Sequence, residues 1–172
     1  MLQVPDPYLP FAKGGFPTPS GKCEFYSERL KQKGMDPVPN YVPAREQASA
    51  DYPLLLHTSK GSAYSLNSSH VGVKRSLEGM GGKPSVKIHR TDAEARGIRD
   101  GDMVLVYNGR GSMRIQAKVS EDTRAGVLWV SHGWWGSRMP GGSSTNALTS
   151  DNLADLGGGG DFHDTRVQAK KV

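Results

Sequence analysis

Thr58-Ser59-Lys60-Gly61-Ser62, with Asn67-Ser68-Ser69-His70 close behind, places hydroxyls, one lysine and a glycine directly after the apolar run Tyr52-Pro-Leu-Leu-Leu-His57. A phosphate group needs those parts: exposed backbone N–H donors, hydroxyl donors and a point charge. The same residues also suit an ordinary polar loop, since Ser, Asn and Gly are what any loop uses. The chain has no Walker pattern and no Gly-x-Gly-x-x-Gly opening a helix.

A second group lies near the C-terminus: Asn146-Ala-Leu-Thr149-Ser-Asp151, then Leu156, the glycines Gly157 to Gly160, and Phe162-His163-Asp164. Each glycine costs backbone entropy, so a run of four points to a flexible or closely approached loop. Asp151 reads in two ways, as a cap on a short helix over Thr149 to Asp155, or as an acceptor for paired N–H donors of a ligand. Between the groups, Val130-Ser-His132-Gly-Trp134-Trp135 sets two tryptophans directly after a strand. Either one of them lines a cleft or interface, or one is a core residue and its neighbour is exposed.

Nucleophilic and metal chemistry find little to work with. His57, His70, His89, His132 and His163 have no ligand spacing such as His-x-x-x-His. Cys23 sits in a Pro-rich stretch between Lys22 and Glu24, where a small apolar filling role is expected, and a single thiol excludes an internal disulfide.

These loops need elements to hold them, and Val86 to Val119 shows what kind. Val86-Lys-Ile-His89 alternates as a strand, and Thr91-Asp-Ala-Glu94 has the form of a capping box, which predicts a helix starting at Thr91 and closed by Gly97. Asp100-Gly-Asp102 turns the chain into the strand Met103 to Tyr107. Asn108-Gly-Arg-Gly111 predicts a hairpin turn with positive φ, and Ser112 to Ser120 alternates throughout. With Tyr52 to Thr58, Val127 to Ser131 and Thr165 to Lys171, six strands are expected. Their core falls on Val86, Ile88, Val104, Val106, Ile115, Val119, Leu128 and Val130.

All but two of the eleven prolines, Pro84 and Pro140, precede residue 54. Residues 1–50 therefore read as an extended Pro-rich arm with one short helix, N-capped by Ser27, with Leu30 on its buried face and Gly34 at its end. The abrupt, coreless beginning suggests a piece of a larger protein. Residues 51–172 carry the strands. A chain of 172 residues with 35% hydrophobic content supports one domain with a core, and 22 glycines favour short strands and shaped loops. No stretch is apolar for the roughly 18 residues of a membrane span. The net charge of +5 is scattered, favouring an anionic small ligand or acidic surface over nucleic acid. The compartment stays open, cytoplasmic or exported.

In this order, Phe16-Pro-Thr-Pro-Ser-Gly-Lys-Cys-Glu-Phe-Tyr-Ser-Glu28, Thr58-Ser-Lys60, Asp92-Ala-x-x-Arg-Gly-Ile-x-Asp-Gly-Asp102, Asn146-Ala-Leu-Thr149 and the Gly-rich loop resemble the C-terminal domain of molybdopterin oxidoreductases of the dimethyl sulfoxide reductase type. The resemblance runs from about Phe16 to Val167. It implies a mainly β fold, a six-stranded double-psi β-barrel with a few short helices. It also implies binding of molybdopterin guanine dinucleotide carrying molybdenum or tungsten, with the metal ligand and any iron–sulfur cluster in other domains. The partners implied are the remaining domains of a catalytic subunit and an iron–sulfur electron-transfer protein, with no nucleic acid and no direct membrane span, and the isolated chain should not turn over. Carried onto this chain, Thr58, Ser59 and Lys60 hold the pterin and pyrophosphate end, and Asn67, Ser68, Ser69 and His70 form the next contact stretch. Asn146 meets the pterin, and Asp151 the nucleotide. Phe162 and His163 stand where the family often has an aromatic residue and a lysine, so His163 departs from the pattern. Lys60 stands where arginine is frequent; it neutralises phosphate without the forked bonds of arginine. The alternative is a double-psi barrel serving as an interaction or nucleic-acid-binding module without a redox role.

Overall fold

The computed structural model describes residues 8–38, 40–60 and 83–172, which form two compact units, one within Met1–Pro43 and one within Ala44–Val172. Asn67, Ser68, Ser69 and His70 lie outside the described residues.

The first unit has one short helix, α1 (Glu28–Gln32), in a largely irregular chain. Ser27 caps it as expected, its hydroxyl accepting the Leu30 N–H at 3.3 Å. Gly34, at φ 73°, ends it while the Met35 N–H returns to the Leu30 carbonyl. Leu30 is only partly covered, because α1 buries no residue. Cys23 is exposed rather than filling a core, since the irregular segment around it packs no core of its own.

The second unit is a closed six-stranded barrel: β1 (Leu54–Ser59), β2 (Ser85–Ile88), β3 (Met103–Tyr107), β4 (Ser112–Val119), β5 (Val127–Ser131) and β6 (Arg166–Lys171), in the order β1-β5-β2-β4-β3-β6. β1 with β5 and β2 with β4 are parallel, and the other four pairs are antiparallel. Alternate residues of every strand point inward. Leu54, Leu56, Val86, Ile88, Val104, Val106, Met113, Ile115, Leu128, Val130 and Val167 are almost completely buried. Of the expected core, only Val119 at the end of β4 is partly exposed.

Three local readings are corrected. Helix α2 (Arg90–Glu94) starts one residue before Thr91, and its cap is His89, whose Nδ1 accepts the Thr91 N–H at 3.2 Å. The chain leaves β2 still extended at His89, φ −64° and ψ 145°, so His89 occupies the capping position and no Thr91 capping box forms. Gly97, at φ 62°, closes the helix as expected. The β3–β4 turn has no positive φ; the Asn108 Oδ1 shapes it by accepting the N–H groups of Arg110 and Gly111 at 3.0 and 3.3 Å. No helix forms over Thr149 to Asp155, because the backbone there bonds across its own loop: the Asp161 N–H reaches the Asn152 carbonyl, and Leu153 bridges Gly160.

The motif Asp92 to Asp102 serves the barrel. Asp92 Oδ2 accepts the Gly126 N–H at 2.7 Å, Asp100 Oδ1 the Val119 N–H at 2.8 Å, and Asp102 Oδ2 the Arg99 N–H at 2.8 Å while pairing with Lys171. The Arg99 N–H and the Lys171 ammonium hold the Asp102 carboxyl below its usual pKa. All of these bonds lie at the barrel end where β2, β4 and β6 finish.

Candidate cofactor-binding end of the barrel

The strand directions decide where the chemistry can gather. β1, β3 and β5 run one way and β2, β4 and β6 the other. The exits of β1, β3 and β5 and the entrances of β2, β4 and β6 therefore share one end. The connection from β3 to β4 lies there, the one from β5 to β6 arises and ends there, and Lys60 leaves β1 there.

At this end Ser59 sits opposite Ser131 in the β1–β5 register. The Ser59 hydroxyl accepts the Trp129 indole N–H at 2.7 Å, and its carbonyl accepts the His132 N–H at 3.0 Å. Thr58 pairs with Val130 and is half-buried, while Lys60, just past the strand, is exposed. A hydroxyl has one donor and two acceptor positions, so with Trp129 occupying one lone pair the Ser59 proton is left to point elsewhere.

His163 stacks on His57 of β1, ring centroids 5.1 Å apart, and Phe162 packs against His163 at 4.4 Å. These contacts fix the approach to β6 beside β1. Asp151 is exposed between Ser150 and Asn152, both of which bond to Asp161: the Ser150 hydroxyl donates to the Asp161 carbonyl, and the Asp161 N–H donates to the Asn152 carbonyl. With no helix over Thr149 to Asp155, Asp151 caps nothing. Asn146, in the 3₁₀ turn Thr145–Ala147, is exposed and its side-chain amide has no hydrogen-bond partner among the described residues. A Cβ at Gly157, Gly158 or Gly159 would meet nothing within 4 Å among the described residues. Trp134 is buried and Trp135 is 59% exposed, the core-plus-exposed arrangement.

Sequence reasoning passed over His132, which lacks metal-type spacing. Its Nε2 is buried without a hydrogen-bond partner among the described residues, an arrangement that costs free energy unless a further group supplies one. It follows β5 directly, and its N–H bonds the carbonyl of Ser59 at the end of β1.

A pterin dinucleotide presents phosphate oxygens, ring N–H donors and ring acceptors, and the residues at this end fit it. Lys60 would offer a cation, Ser59 a hydroxyl proton turned away from Trp129, Asn146 an amide of both senses, Asp151 a carboxylate, and His132 a nitrogen without a partner among the described residues. The described residues contain no group of three or more His, Cys, Asp or Glu able to hold a metal, and none of their helices is long and apolar enough to cross a membrane.

Comparison with known proteins agrees with this geometry. Residues 54–166 match the family described as "Molydopterin dinucleotide binding domain". The chain is 38% identical over 166 residues to "Probable oxidoreductase YoaE" of Bacillus subtilis (strain 168), covering 95% of this chain and 23% of that protein. It is 31% identical over 175 residues to "Dimethyl sulfoxide reductase DmsA" of Escherichia coli (strain K12), covering 90% of this chain and 21% of that protein. The fold is similar to that of acetylene hydratase from Pelobacter acetylenicus, with a TM-score of 0.79, 24% identity, and coverage of 100% of this chain and 26% of that one. The chain thus spans about a quarter or less of the length of these relatives, and the nucleic-acid alternative gains no support from them. Strand order, the gathering of polar loops at one end and the family match agree: this chain is a molybdopterin dinucleotide binding domain of the dimethyl sulfoxide reductase family of molybdopterin oxidoreductases.

Proposed function

We propose that this domain holds the guanine dinucleotide form of the cofactor against the open end of its barrel, within a larger catalytic subunit whose other domains carry the metal ligand. The cofactor, when bound, supplies the redox chemistry; the residues of this chain supply position and charge. Lys60 and the Ser59 hydroxyl take the pyrophosphate end together with Thr58, and Asn67, Ser68, Ser69 and His70 continue the contact. Asn146 offers its amide to the pterin, Asp151 its carboxylate to the paired N–H donors of a guanine edge, and Phe162 with His163 closes the side next to β1. An iron–sulfur electron-transfer protein is the partner that fits such a subunit.

One observation supports the reading: strand direction sets Thr58 to Lys60 and both ends of the β5–β6 connection at one barrel end, where the β3–β4 turn holds the carbonyl two residues after Asn146. The test separates the two ligand halves in the complete enzyme. Asn146→Ala should lower activity and retained cofactor by loosening the pterin end, and Asp151→Asn should chiefly release guanine nucleotide, with the barrel still folded in both. Full nucleotide occupancy in Asp151→Asn would remove Asp151 from the site.

A further inference from the structure

Leu148, fully buried two residues after Asn146, has its carbonyl held by groups from the β3–β4 turn. Its carbonyl accepts two hydrogen bonds, from Asn108 Nδ2 at 2.8 Å and from Arg110 Nε at 2.8 Å. Asn108 uses its whole amide. Nδ2 also donates to the Arg166 carbonyl at 3.1 Å, while Oδ1 accepts the Arg110 and Gly111 N–H groups. No other side chain of that size offers two donors and two acceptors, so Asp or Leu there would leave carbonyls unpaired.

Arg110 is equally committed. Its Nη1 and Nη2 fork onto the two Glu46 oxygens at 2.8 and 3.0 Å, and Glu46 Oε2 takes the Arg166 N–H at 2.9 Å. Three of its five N–H donors and its charge are thus spent within the domain. Gly111 completes the contact: a Cβ at its position would stand 2.6 Å from the Ala147 carbonyl oxygen, closer than a real contact allows. The residue after Asn146 therefore rests directly on backbone that only glycine leaves open.

We infer that Asn108, Arg110 and Gly111 are positioning residues for cofactor binding, a platform that sets the height and orientation of the Asn146 amide. This rests on the reading that Asn146 contacts the cofactor. The platform acts through the backbone of Ala147 and Leu148, so its loss displaces Asn146 without removing any ligand group.

The test uses the complete enzyme containing this domain, with three readouts: bound molybdenum, guanine nucleotide released on denaturation, and melting temperature. Asn108→Asp and Gly111→Ala should each lower retained molybdenum and nucleotide at least about fivefold. Arg110→Lys, which keeps charge but gives up the fork, serves in place of either variant that does not fold. Because the platform works through Asn146, the double variant Gly111→Ala/Asn146→Ala should retain no less than Asn146→Ala alone, whereas independent sites would add. His89→Ala at the opposite end should lower melting temperature with full cofactor content. Depleted Asn146→Ala beside fully loaded Asn108→Asp and Gly111→Ala, or additive losses in the double variant, would overturn the platform alone. Full loading of Asn146→Ala would overturn the site reading beneath it.

Discussion

Trp129 donates its indole N–H to the Ser59 hydroxyl at 2.7 Å across the parallel β1–β5 pair. The bond fixes the last residue of β1 and turns the hydroxyl proton away from Trp129. Lys87 of β2 lies over the Trp129 ring, 5.2 Å from its centroid, so the indole is held from both neighbouring strands.

Ser59→Ala and Trp129→Phe should therefore differ in kind. Each breaks the same bond and should cost about 1 kcal/mol of stability. Only Ser59→Ala also removes the outward hydroxyl, so it should lose the larger share of bound nucleotide. Urea unfolding paired with nucleotide content measures both; greater nucleotide loss in Trp129→Phe would contradict the assignment.

At the far end of the barrel, His89 accepts the Thr91 N–H with Nδ1 and meets Glu121 Oε2 through Nε2 at 3.0 Å. The ring can do both only with its proton on Nε2. Nitrogen NMR should show that tautomer, and His89→Ala should lower stability by about 1 kcal/mol, the worth of a cap, with cofactor retention intact.

Glu46 gives the barrel an acid-sensitive tie. Partial burial pushes its carboxyl up, but the Arg110 hydrogen bonds, the Arg166 N–H and the two guanidinium charges outweigh burial and hold its pKa below the ordinary value. A carboxyl lowered on folding binds fewer protons in the folded state. Its stabilisation is complete above the unfolded value of about 4.3 and is lost as pH falls through the lower folded value. Glu46→Gln should flatten the stability profile below about pH 5 relative to the unaltered protein. Equal slopes would show that Glu46 is not the group responsible.

Much of the barrel could be read from local patterns. β3, β4 and β5 alternate cleanly and are bounded by Gly101, Asn108 and Gly126, so their limits fall within a residue of expectation. The failures have physical causes. Thr91 is the better statistical cap, yet the extended backbone at His89 puts an imidazole on the Thr91 N–H, the donor that Glu94 would take in a capping box. Thr149 to Asp155 has helical spacing, but Ser150 and Asn152 bond to Asp161 eleven and nine residues on, which spends those groups across the loop. The gathering of Lys60, Asn146 and His163 at one end follows from parallel pairing of β1 with β5 and of β2 with β4, and no local pattern encodes such pairings. His132 was missed for the same reason: its neighbour Ser59 is distant in sequence.

The central claim is that this barrel end holds the dinucleotide by charge as well as by shape, and Lys60 tests it most directly. A charge-assisted bond to phosphate is worth roughly 1.5 to 3 kcal/mol, so Lys60→Ala in the complete enzyme should weaken cofactor retention about tenfold or more. The account predicts a folded protein depleted in both molybdenum and guanine nucleotide. A folded Lys60→Ala enzyme with its full complement of both would contradict it.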